Sequence, residues 1–202
     1  IQDQLSGVSL SANWMWACNN EGEDARLYQA VEACSEFAIA LGINIPTGKD
    51  ALSMKQKYPN GEAVIAPGTV IMSAAGHCAD INKVVEPVLQ PDSGSIYYIS
   101  LSQDALKLGG SSFAQILNKV GQDVPDIKDA VYFKAAFNAI QTAITQGILA
   151  AGHDIGSGGL ITTLLEMSFA QVNLGAQYDL SPLQETDPVK ALFNENIAVV
   201  LQ

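Results

Sequence analysis

The sequence predicts an α/β fold, and three observations carry that expectation. Apolar residues recur at helical spacing in two long stretches, 22–41 and 130–146. Short apolar runs bounded by Gly, Pro, Asn and Asp alternate with those stretches and read as strands. Hydrophobic residues make up 48% of the 202 and charged residues 15%, a globular rather than a disordered composition.

The elements follow in order. Trp14 and Trp16 flank Met15 as alternating strand residues do, and packing is their default role. Leu27, Ala30, Val31, Cys34, Ala38 and Leu41 form the apolar stripe of the first helix, which Gly42 stops. Ile43–Pro46 reads as a short strand entering a polar turn, Thr47-Gly48-Lys49-Asp50. Residues 52–58 look extended, and Pro59-Asn60-Gly61 then suggests a hairpin. The run 69–75 reads as a buried strand and 81–89 as a short helix or turn. Gln90-Pro91-Asp92-Ser93-Gly94 is the best internal boundary, being polar and rich in turn formers.

Beyond that boundary, 96–101 is a strand, and Gly109-Gly110-Ser111-Ser112 opens a helix to about Val120 with a serine cap. The second long helix, over 130–146, has an apolar face formed by Phe133, Ala136, Phe137, Ile140 and Ile144. A strand over 148–151 leads into the loop Gly152-His153-Asp154-Ile155-Gly156-Ser157-Gly158-Gly159, and a helix follows over 160–171. The apolar run 197–201 reads as a last strand. Because the chain opens on Ile1 and stops in that run, a segment of a longer polypeptide is the expectation, with self-association through exposed strand edges.

Charge and cysteines narrow the function classes. Twenty-one acidic against 10 basic residues give a net charge of −11, which opposes a nucleic-acid partner. Nucleotides remain open, because magnesium and backbone amides can hold their phosphates. No apolar run reaches the roughly 20 residues of a membrane span. Cys18, Cys34 and Cys78 form no CxxC pair, and a reduced cytoplasmic setting is the simpler expectation.

The glycine loop is where chemistry concentrates. Glycines let the backbone approach a ligand, the start of the next helix favours an anion, and Asp154 suits magnesium. The spacing is neither a Walker A sequence nor a GxGxxG fingerprint, so a plain strand-to-helix connection capped by Asp154 is an equal alternative. His153 has no nucleophile signature near it and reads as a hydrogen-bonding residue.

Five stretches in order add a resemblance: Leu10-Ser11-Ala12-Asn13-Trp14-Met15, Gly22–Tyr28, Ile45–Met54, Gly152–Glu166 and Leu192-Phe193-Asn194-Glu195. Together they resemble the large, single-chain phosphoribosylformylglycinamidine synthases. That resemblance implies part of the second of two halves similar to aminoimidazole ribonucleotide synthetase. Residues 1–90 would be the later portion of its N-terminal subdomain, and 94–202 a truncated C-terminal subdomain.

The family converts formylglycinamide ribonucleotide, ATP and glutamine to the amidine, ADP, phosphate and glutamate, and its glutaminase domain would lie elsewhere on the full chain. The resemblance also implies Asp154 as a magnesium ligand and ATP or ADP near Gly156. Ser157, which the match leaves unassigned, Gly158 and Lys49 are further nucleotide-binding candidates, with a solvated turn lysine the equal alternative for Lys49. Gly156 replaces a usual serine, and Ala51 replaces the serine of the GKDS turn. No residue here is implied to be catalytic, the segment alone is expected to be inactive, and its nucleotide is expected to be structural. A stand-alone magnesium-nucleotide or scaffold module is the alternative expectation.

Overall fold

The computed structural model describes all 202 residues, which divide into two units, Ile1–Ala79 and Asp80–Gln202. In the first, β1 (Val8–Met15) carries the LSANWM run and is the middle strand of three. A polar turn leads from it to α1 (Glu23–Leu41), whose chain returns as β2 (Asn44–Ala51), parallel to β1. A parallel return needs such a crossover, so α1 is the connection that makes the pairing feasible. Ala38 and Leu41 are buried on its inner face, whereas Val31, expected in the stripe, is 42% exposed.

The hairpin is present as β3 (Lys55–Lys57) and β4 (Ala63–Ile65). Strand β5 (Thr69–Gly76) then pairs antiparallel with β1, from Val8↔Gly76 to Met15↔Thr69. Two expectations change here. Thr47–Asp50 is strand, not turn: Gly48 lies opposite Ala12, where a Cβ would overlap the Ala12 carbonyl oxygen. The glycine therefore serves close approach of two backbones. β5 is indeed a strand but is exposed along its whole length, because no element of this unit covers it.

The second unit is built on β6 (Tyr97–Ser100), β7 (Gly152–Asp154) and β8 (Ala198–Leu201), all antiparallel, with β8 in the middle. Helix α2 (Ser112–Ile116) is capped by Ser111, whose Oγ accepts from Ala114 N at 3.2 Å. It stops short of Val120, since Asn118 takes a left-handed φ of 55°. Helix α3 (Ala130–Gln146) matches its expected span, and Asp129 caps it by accepting from Val131 and Tyr132.

The strand expected over 148–151 is displaced to 152–154. The amides of Ala150 and Ala151 both reach Gln202 O, and the ladder proper begins at Gly152↔Leu201. Helix α4 (Gly159–Phe169) lays Leu160, Leu164 and Met167 on Ala151, Ile155, Ala198 and Val200, which with Leu89 form the core. Helix α5 (Pro188–Phe193) then leads to β8.

Met167 is fully buried in that cluster. Met167→Ala should destabilise the second unit by about 2–5 kcal/mol, the usual range for a large core truncation. Met72→Ala on β5, where the side chain is 38% exposed, should cost far less. Urea unfolding of the two variants checks the contrast.

Candidate functional site

The glycine loop joins β7 to α4. Asp154 ends β7, opposite Val199. Its backbone carbonyl receives the Thr163 hydroxyl at 3.0 Å and faces His153 Nδ1 at 2.8 Å, while its side chain is 81% exposed. The backbone is therefore pinned, while the exposed carboxylate lies with Oδ1 3.3 Å from His153 Nδ1. His153 Nε2 lies 3.1 Å from Glu166 of α4, so the imidazole bridges strand to helix, the hydrogen-bonding role its sequence context suggests.

Past Asp154, the Ile155 amide closes on Ala198 O and its side chain enters the core. Gly158 and Gly159 have φ of 94° and 78°. A Cβ on Gly159 would lie 2.6 Å from Asn194 O. These two positions need glycine for both conformation and space.

The loop amides have distinct fates. Gly158 N donates to Glu195 Oε1 at 2.8 Å, and Gly159 N to Gly156 O at 3.1 Å. Gly156 N and Ser157 N have no acceptor within the chain, and both residues are exposed. Two adjacent unbonded amides thus lie next to an exposed carboxylate and ahead of an eleven-residue helix. Such a set can receive an anion from the amides and a cation from the carboxylate.

Glu195 is the residue that sequence reasoning missed. The same Oε1 accepts from Ser112 N at 2.8 Å, so one half-buried carboxylate oxygen ties the start of α2 to the loop. Favourable attraction to both helix starts adds to the hydrogen bonds. Its neighbours are engaged as well, except that Asn194 Oδ1 is buried without a partner. Asn194 Nδ2 donates to Lys190 O and Ala191 O, at 2.9 and 3.1 Å. Asn196 accepts from Lys107 N at 3.1 Å and donates to Ala105 O at 2.9 Å. The Leu192–Glu195 stretch had been noticed in the sequence, but its bonds span 37 and 83 residues and no local pattern reports them.

Lys49 belongs to the first unit, exposed on β2 opposite Asn13, and stands on a strand rather than in the expected turn. No three of the chain's His, Cys, Asp and Glu side chains gather as a metal cluster. Magnesium does not require one, since it commonly takes one or two carboxylates together with phosphate oxygens and water. Asp154 fits that pattern as a single ligand. A second concavity in this unit, about 400 Å³, lies among Leu160, Leu164, Leu180, Val200, Tyr98 and Tyr178. Both phenol oxygens there are buried without a partner, and burial pushes the Tyr98 hydroxyl above its ordinary value.

A three-stranded antiparallel sheet feeding a glycine loop into a packed helix defines the second unit as a mixed α/β domain. The family described as AIR synthase related protein, C-terminal domain, matches residues 94–201, and the chain belongs to it. Residues 1–77 match a second family description, FGAR-AT PurM_N-like domain.

The chain is 42% identical over 200 residues to a probable phosphoribosylformylglycinamidine synthase, chloroplastic/mitochondrial, of Arabidopsis thaliana. The match takes in 98% of this chain but only 14% of that protein, so the chain spans about one seventh of the relative. Among solved structures, Thermotoga maritima PurL complexed with FGAR is similar over 98% of this chain and 32% of its own, with a TM-score of 0.64 at 17% identity. A chain of a HypE-HypF complex gives a TM-score of 0.57 at 15% identity, over 98% of this chain and 64% of that one. At these identities the structures establish the shared fold. No helix of the chain is long and apolar enough to cross a membrane.

Replacing Glu195 by Ala should free both tied amides. Hydrogen exchange at Ser112 and Gly158 should quicken roughly 10- to 100-fold, as expected for losing hydrogen bonds to a charged group worth about 1.5–3 kcal/mol. The Ile155 amide, bonded to Ala198 instead, should keep its protection. Exchange measured by NMR on both forms tests this.

Proposed function

We propose that the loop at 153–159 is a magnesium-nucleotide element of a phosphoribosylformylglycinamidine synthase. The observation that carries this reading is the pair of free amides at Gly156 and Ser157 beside the exposed Asp154 carboxylate. The two amides donate to phosphate oxygens of ATP or ADP. Asp154 is the chain's ligand to the cation, which when bound neutralises phosphate charge. Gly158 contributes its left-handed backbone, its amide being committed to Glu195. Lys49, exposed on β2 of the first unit, is a separate candidate for a phosphate contact.

The 42% identity to the plant enzyme supports the wider reading. On it, the complete protein is a carbon–nitrogen ligase that converts formylglycinamide ribonucleotide to the amidine with ATP and glutamine. Its remaining domains, a glutaminase among them, lie outside this sequence. This segment supplies no catalytic acid or base: positioning of phosphates by amides and cation is its contribution. Nucleotide held here serves a structural role, and the segment by itself is inactive. The three unpaired cysteines support a reducing compartment, for which the cytoplasm is our proposal. The whole-length exposure of β5 supports self-association of the segment.

Calorimetry with ADP tests the loop. Binding should require magnesium, and Asp154→Ala should weaken it about tenfold or more, the scale of one lost charge-assisted contact. Unchanged affinity in the variant removes Asp154 from the site. Binding that is indifferent to magnesium removes the cation.

A further inference from the structure

Lys55 and Lys57 stand two apart on β3, and a strand's period of two turns both toward one side, roughly 7 Å apart at their base. Gln56 between them bonds Lys57 O at 3.0 Å. The two lysines line a concavity of about 400 Å³ whose other walls are Ala17, Asn19, Asn20 and Ser53.

Those walls are fixed by backbone pairing. Ala17 bridges Ser53, Cys18 N bonds Leu52 O at 3.0 Å, and Met54 N bonds Trp16 O at 3.3 Å. Asn20 Nδ2 bonds Ala17 O at 2.7 Å, and Ala17 at the base is 1% exposed. The concavity is thus part of the folded first unit rather than a gap between loose loops.

Lys55 and Lys57, like most of the chain's lysines, have no carboxylate at ion-pairing distance; what sets them apart is that they line one concavity together. Two like charges side by side repel, and a multiply charged anion between them relieves that repulsion. Asn19, Asn20 and Ser53 add neutral donors: each amide carries two N–H groups, and Asn20 has spent only one of its own. Two ammonium groups and three neutral donors call for more than the two oxygens of a carboxylate.

We propose that this pocket binds a phosphoryl dianion, the phosphate group of a small phosphorylated molecule, between Lys55 and Lys57. The site needs no divalent cation and does not rest on the nucleotide reading of the second unit.

Titrating the isotope-labelled chain with inorganic phosphate, without magnesium, tests it through amide chemical shifts. Saturable shifts are expected at Asn19, Asn20, Ser53, Lys55 and Lys57. Affinity should fall about tenfold in the K55Q/K57Q double variant, as two charge-assisted contacts become neutral. It should be unchanged in K119Q, which removes an exposed lysine elsewhere. Absence of saturable shifts at these amides, or equal affinity in K55Q/K57Q, overturns the proposal. So does acetate binding as tightly as phosphate, which would remove the dianion. Shifts confined to Gly156 and Ser157 overturn this pocket while leaving the nucleotide loop standing.

Discussion

Three consecutive side chains, Asn194, Glu195 and Asn196, tie together most of what the second unit depends on. They precede β8, the middle strand, and each holds a different neighbour: α5, the pair formed by α2 and the glycine loop, and the 105–107 segment. Asn194 and Asn196 are wholly buried, and an unsatisfied polar group in such a place costs about 1–3 kcal/mol. The side-chain nitrogens of both are bonded, whereas Asn194 Oδ1 is buried without a partner, and bonds of this kind favour one arrangement of the neighbouring segments. The segment that leads into β8 is therefore also the one that anchors the loop.

That constraint shapes how the loop meets a ligand. A carboxylate already occupies the Gly158 amide, so an incoming phosphate meets negative charge there and open donors one and two residues earlier. Thr163 and His153 hold the Asp154 backbone while its carboxylate remains outward. On the proposed reading, phosphate and cation share the stretch from Asp154 to Ser157, and Glu195 sets its far limit. The first unit contributes a different kind of surface, an open three-stranded sheet with β5 uncovered and a lysine-lined pocket at its hairpin.

The sequence made some of this legible and concealed the rest for identifiable reasons. Helices α1 and α3 were readable because 3.6-residue periodicity and a closing glycine are local signals. Thr47–Asp50 looked like a turn by composition, and only its pairing with β1 makes it strand. Strand β7 slid from 148–151 to 152–154 because the Gln202 carbonyl, distant in sequence, takes the amides of Ala150 and Ala151. The apolarity of β5 announced a strand but carried no information about what covers it. Of the site, Asp154 and the glycines stood out by residue type and resemblance. The commitment of Gly158 to Glu195 was hidden, since it joins residues 37 apart.

The central claim is that the loop offers Gly156 and Ser157 to phosphate while Glu195 retains Gly158. Amide chemical shifts recorded as magnesium and ADP are added to the chain test it most directly. Large saturable shifts at Gly156 and Ser157, with Gly158 and Ser112 nearly unmoved, are the predicted result. Loss of the Gly158–Glu195 bond on nucleotide addition, or an unperturbed loop at saturating nucleotide, would contradict it.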